Sequence, residues 1–211
     1  MKRTDTRKLT TLAIFTALII VLQLVSALLT RFVPVLPVSI TLTLVPIVVG
    51  AALYGVSAGA YLGGVFGLVV MLFCVTALDL GGAMLWNASP LLCALVCLVK
   101  GVAAGTAAGA VYRAISPKSQ TAGAICAGIA APVVNTALFI AAVFLFFRET
   151  LALWAGGKDL VAYAITGLAG VNFLLELAVN LVLAPVIVRI IKARRPLAVP
   201  VRIVEDKKAD G

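Results

Sequence analysis

The chain has 211 residues, 63% of them apolar and only 12% charged, with a net charge of +9 and no histidine. A water-soluble domain needs more polar surface than this, and the long unbroken apolar runs are unlike the short alternating segments of a membrane β-barrel. The class that fits is an all-α integral membrane protein, since about 20 apolar residues in a helix cross the hydrocarbon core. Without histidine, the commonest general base and metal ligand are missing.

Hydropathy predicts a six-transmembrane-helix bundle. The first span, 9–29, follows a basic cytoplasmic segment, 1–8, with Lys2, Arg3, Arg7 and Lys8. Val25-Ser26-Ala27 resembles a signal cleavage site, but the apolar stretch exceeds a signal core and further spans follow, so it is read as uncleaved. A proline-punctuated outer loop, 31–37, leads to the second span, 40–54, where Pro46 is expected to cause an irregularity. A turn at 55–59 returns the chain into a third span that ends near residue 75. The outer loop 76–88 carries Asp79 and Trp86, the latter suited to an interfacial anchor.

Ser89-Pro90 opens the fourth span, 90–115, with proline in the first helical turn. The fifth covers 121–147. After an outer loop at 148–160 containing Trp154, the sixth covers 161–191. The transmembrane domain is thus 9–192, and the polar tail 193–211, with Pro196 and Pro200, is expected to be flexible and cytoplasmic.

This threading puts Arg113, Lys118, Arg189, Lys192, Arg194 and Arg195 inside with the basic N-terminus, and leaves Arg31, Arg148 and Lys158 outside. Such asymmetry is what orients a membrane protein, with both termini cytoplasmic here. It accounts for the positive charge without a nucleic-acid partner. The cysteines, Cys74, Cys93, Cys97 and Cys126, lie in or at the ends of apolar segments. Cys93 and Cys97 share a helix face but have no second pair or acidic companion beside them, so the expectation is packing, with no metal site or disulfide framework.

Within lipid, small residues four apart allow helices to approach closely. Gly59, Gly63 and Gly67 form such a stripe in the third span and Gly101, Gly105 and Gly109 in the fourth, both suited to packing inside the bundle. Ala13 and Ala17 form a shorter pair in the first. Ionisable groups at membrane depth are costly and mark functional candidates. Lys100 in the fourth span and Glu176 in the sixth lie at comparable depth and could pair. Asn172, Glu176 and Asn180 follow at i, i+4 and i+8 on one helix face. Asn135 lies at similar depth, one turn after Pro132, which deprives the Gly128 carbonyl of its helical donor. These groups read either as one polar ligand pocket or as an ion pair with amide cross-links. Gln23 and Ser26 read as packing residues.

There is no phosphate-binding loop of the GxxxxGK[ST] type and no HExxH. The expectation is a non-enzyme with no cofactor, unable by itself to hydrolyse ATP. A self-sufficient secondary carrier is the competing reading.

The run from Pro46 through Tyr54-Gly55 to Gly63-Gly64 and Leu68, together with Ala13-x-x-x-Ala17, the basic N-terminus and the six spans, resembles the S-components of energy-coupling factor (ECF) transporters over residues 8–192. The resemblance implies a small substrate-binding subunit in the bacterial cell membrane that captures a vitamin from outside. It also implies a transmembrane coupling protein and two cytosolic ATPases as partners, with Ala13 and Ala17 as the docking surface for the coupling protein. Substrate would bind among the last three helices under outer loops. The polar cluster read from the residues, Lys100, Asn135, Asn172 and Glu176, falls on those helices, and with Trp86 and Asn87 from an outer loop it makes the candidate binding set. A cation among amides suits a small anionic, hydroxyl-bearing ligand, and the chain looks most like the pantothenate-type branch. Riboflavin is the runner-up.

Overall fold

The structure, a computed structural model, describes residues 3–32 and 43–194. Most of the outer loop at 31–37 and the tail from 195 lie outside the described residues. All regular structure among the described residues is helical. Helix α1 runs Arg3–Phe32, α2 Leu44–Tyr54, α3 Val56–Val75, α4 Leu80–Ala88, α5 Pro90–Ile115 and α6 Gln120–Phe146. Then come α7, Arg148–Ala155, and α8, Leu160–Tyr163. A π-helical run, Ala164–Phe173, passes directly into α9, Leu174–Arg194.

Among the described residues, four segments are long and apolar enough to cross a membrane: Thr6–Leu28, Val56–Val75, Pro90–Ile115 and Gln120–Phe146. The protein is therefore a multi-pass membrane protein. Helix α2, with 11 residues, reaches only about 16 Å at 1.5 Å per residue.

Pro46 causes no irregularity. Helix α2 begins at Leu44, so the proline occupies the first turn, where a backbone N–H has no intrahelical partner to lose. The expected turn at 55–59 contracts to a single residue. Gly55 adopts φ 87°, and α3 starts at Val56; a side chain is disfavoured there, which suits glycine to this sharp break.

The two segments expected as loops, 76–88 and 148–160, are also more ordered than hydropathy implies. Asp79 starts α4 by accepting a hydrogen bond from Gly82 N–H at 3.1 Å. Helix α7 ends in left-handed Gly156, whose N–H reaches back to Ala152 O at 3.2 Å. Both are local capping devices, which act over one turn and leave little trace in an average over a membrane-length window.

The centre of the fold is the antiparallel packing of α3 on α5, with α6 on the other side of α5 and α9 against α6 and α2. A Cβ on Gly63 would collide with the Gly101 carbonyl oxygen, and one on Gly59 with that of Gly105. The two glycine stripes face each other, as their spacing predicts. Helix α1 packs on α2 and α3, leaving Ala13 and Ala17 exposed.

Helices α1 and α2 are tied by a buried hydrogen bond, Thr43 Oγ1–H donating to Gln23 Oε1 at 3.0 Å. Thr43→Val keeps the shape and deletes the donor. It is expected to lower stability by about 0.6–2 kcal/mol, the range for interhelical hydrogen bonds in membranes, measurable by unfolding in SDS. An unchanged midpoint would mean that Gln23 finds another donor.

Candidate functional site

Lys100 lies ten residues into α5, about 15 Å from its N-terminal end. It is buried, with 8% of its surface exposed. Its ammonium faces two aromatic rings, Phe66 of α3 at 5.9 Å and Phe139 of α6 at 5.0 Å from the centroids. The ring faces carry the negative part of the aromatic quadrupole and so stabilise a cation that water does not reach.

Toward the N-terminal end of α5 lies a chamber of about 30 Å³, walled by Cys74, Asp79, Cys93, Cys97, Lys100 and Phe139 among others. Asp79 is also buried. A carboxyl and an ammonium therefore border one small space roofed by α4. Trp86 on α4 is half-buried against the apolar core, whereas Asn87 is exposed. The roof continues into α7, where Trp154 Nε1–H donates to Met84 Sδ of α4 at 3.1 Å.

A second polar group forms where α6 meets α9. Asn135, Glu176 and Asn180 are buried, at 4%, 0% and 1% exposure. Asn180 Nδ2 donates to the Glu176 carbonyl at 2.8 Å. Gly128 of α6 faces Asn180: a Cβ there would stand at an ordinary 3.9 Å from Asn180 Cβ. The side-chain carbonyl oxygens of Asn135 and Asn180 are buried without a hydrogen-bond partner among the described residues. Buried acceptors left this way are costly and are expected to take a donor.

The six sequence-derived binding residues thus fall in three places. Lys100 borders the chamber and Trp86 and Asn87 belong to its roof. Asn135 is one helical turn from Phe139, so α6 connects the chamber to the second polar group. Glu176 belongs to that second group, on a helix that packs on α6 and α2; among the described residues the backbones of α5 and α9 do not come close. Asn172 is in the π-helical run and its side chain lies outside the described residues.

Sequence reasoning passed over Asp79, the two phenylalanines and the cysteine grouping. Cys93 and Cys97 do have companions: antiparallel α3 brings Cys74 beside them, and the α4 cap brings Asp79. An available signal was Asp79 three residues ahead of Gly82, a helix-start pattern next to the fourth span. The π-helical run was also not foreseen; such segments are frequent at functional sites, and they have no simple residue signature.

A family model described as "ECF transporter, substrate-specific component" matches residues 7–188. Among curated proteins, the pantothenic acid transporter PanT of Lactococcus lactis subsp. cremoris (strain MG1363) is 26% identical over 196 residues, covering 89% of this chain and 95% of the relative.

Proposed function

Because this chain belongs to the family of substrate-specific components of ECF transporters, we propose that it is the vitamin-capturing subunit of an ATP-driven importer, with pantothenate as its substrate. In this reading the chain spans the bacterial cell membrane six times with both termini cytoplasmic. A coupling membrane protein docks on Ala13 and Ala17, and two cytosolic ATPases supply the energy. Its role is binding, not catalysis.

The observation that carries the substrate class is a buried cation next to an outward-roofed chamber. Pantothenate offers one carboxylate, two hydroxyls and an amide. Lys100 would take the carboxylate, and the open carbonyls of Asn135 and Asn180 would accept from hydroxyl or amide donors. The match to a pantothenic acid transporter along 89% of the chain supports the same ligand. At about 30 Å³ the chamber is far below the roughly 300 Å³ and upward of a typical ligand pocket. Capture therefore requires α4 and α7 to move outward, breaking the Trp154–Met84 hydrogen bond, and to close again over the ligand.

The direct test is binding of radiolabelled pantothenate by the purified chain without its partners. Lys100→Ala is expected to weaken binding by about 1.5 kcal/mol or more, roughly tenfold, through loss of a charge-assisted hydrogen bond. Equal affinity in wild type and variant would remove Lys100 from the site. Uptake by the chain alone in proteoliposomes would instead support a self-sufficient carrier.

A further inference from the structure

The three buried cysteines facing the chamber belong to different parts of the chain. Cys74 closes α3, while Cys93 and Cys97 lie one turn apart on α5. Their sulfur atoms all lie within 4.8 Å of one another, and none is in a disulfide. All three are at least 95% buried. A soft metal ion held by thiolates at about 2.3 Å in a trigonal arrangement requires sulfurs about 4 Å apart, which this grouping meets with little adjustment.

We propose that Cys74, Cys93 and Cys97 form a binding site for a thiophilic divalent cation of the zinc and cadmium type. Three independent features support it beyond sulfur spacing. The sulfurs line a closed chamber of only about 30 Å³, on the scale of a small ion. The ligands come from two helices already locked by backbone contact: a Cβ on Gly67 would lie 2.6 Å from the Cys97 carbonyl oxygen. A site on rigid elements is largely formed before the ion arrives. Charge favours it as well. Binding releases the three thiol protons, and the Lys100 ammonium on the same chamber counters part of the negative charge that the thiolates and Asp79 bring.

Asp79 lines the same chamber but stands outside the sulfur grouping, where it caps α4. Soft thiolates select zinc-like ions over magnesium and calcium, which need oxygen shells. The site shares its chamber and Lys100 with the proposed vitamin site, so its test is made on the chain without vitamin.

The test uses the full chain in detergent and Cd²⁺ alone as probe. One Cd²⁺ per chain, with an ultraviolet thiolate-to-cadmium charge-transfer band, is the expected result. The band should be lost in Cys97→Ser and in the double variant Cys74→Ser with Cys93→Ser, and kept in Cys126→Ser. Absence of the band in wild type with excess Cd²⁺, or its loss in Cys126→Ser alone, overturns the site. Cadmium-edge X-ray absorption on the loaded wild-type chain needs no variant to fold. Three sulfur neighbours support the assignment, and a shell of oxygen only defeats it.

Discussion

Replacing Ala17 with tryptophan is expected to abolish vitamin uptake by cells while leaving vitamin binding by the purified chain intact. Ala13 and Ala17 are one turn apart on α1, and both are exposed. Helix α1 touches only α2 and α3 among the described helices, so its outer face is free for a partner. In lipid there is little hydrophobic drive between helices, and association depends on how closely backbones approach; a pair of alanines permits it and an indole blocks it. The residues proposed to hold the vitamin lie on α4, α5, α6 and the last helix, so binding has no reason to change. Leu18→Trp, on an exposed position turned away from the pair, serves as the control and should retain uptake. Co-purification of the coupling protein with each variant gives the answer. Wild-type assembly by Ala17→Trp would remove this surface as the docking site.

A second substitution acts on the fold itself. Gly63→Leu is expected to leave no monodisperse protein after detergent extraction. A Cβ at Gly63 would overlap the carbonyl oxygen of Gly101 and stand 2.8 Å from its carbon. The obstacle is backbone, so no side-chain rotation relieves it, and α3 and α5 must separate. Overpacking in tight cores costs about 1–3 kcal/mol and occasionally more. Here the same displacement would also loosen Gly59 against Gly105 and Gly67 against Cys97, the contacts that flank it. The neighbouring Gly64→Ala is expected to be silent, because a Cβ there meets only Val102 Cγ2 at an ordinary 3.6 Å. Size-exclusion profiles and thermal midpoints of the two variants should differ sharply. A monodisperse Gly63→Leu with the wild-type midpoint would mean that the α3–α5 contact does not hold the bundle.

The contrast between Gly63 and Gly64 also shows what spacing alone reveals. Glycines at 59, 63 and 67 and at 101, 105 and 109 are legible as stripes, because a helix returns to the same face every three to four residues. Their mutual facing follows from there being few other surfaces able to come so close. Lys100, Asn135 and Glu176 were likewise legible as burdens in an apolar helix, and all three are buried.

What the sequence by itself determined is the class, the apolar spans, the small-residue packing faces and the presence of polar groups at depth. Each depends on periodicity or transfer energy within one segment. Tertiary structure decided the rest. Asp79 reaches the chamber only because capping α4 folds a supposed loop inward. Cys74 meets Cys93 and Cys97 only because α3 and α5 run antiparallel in one register. Glu176 is set apart from α5 because α6 stands between the helices. These groupings arise between residues that are distant in the chain, and hydropathy averaged along one segment contains no term for the distance between two.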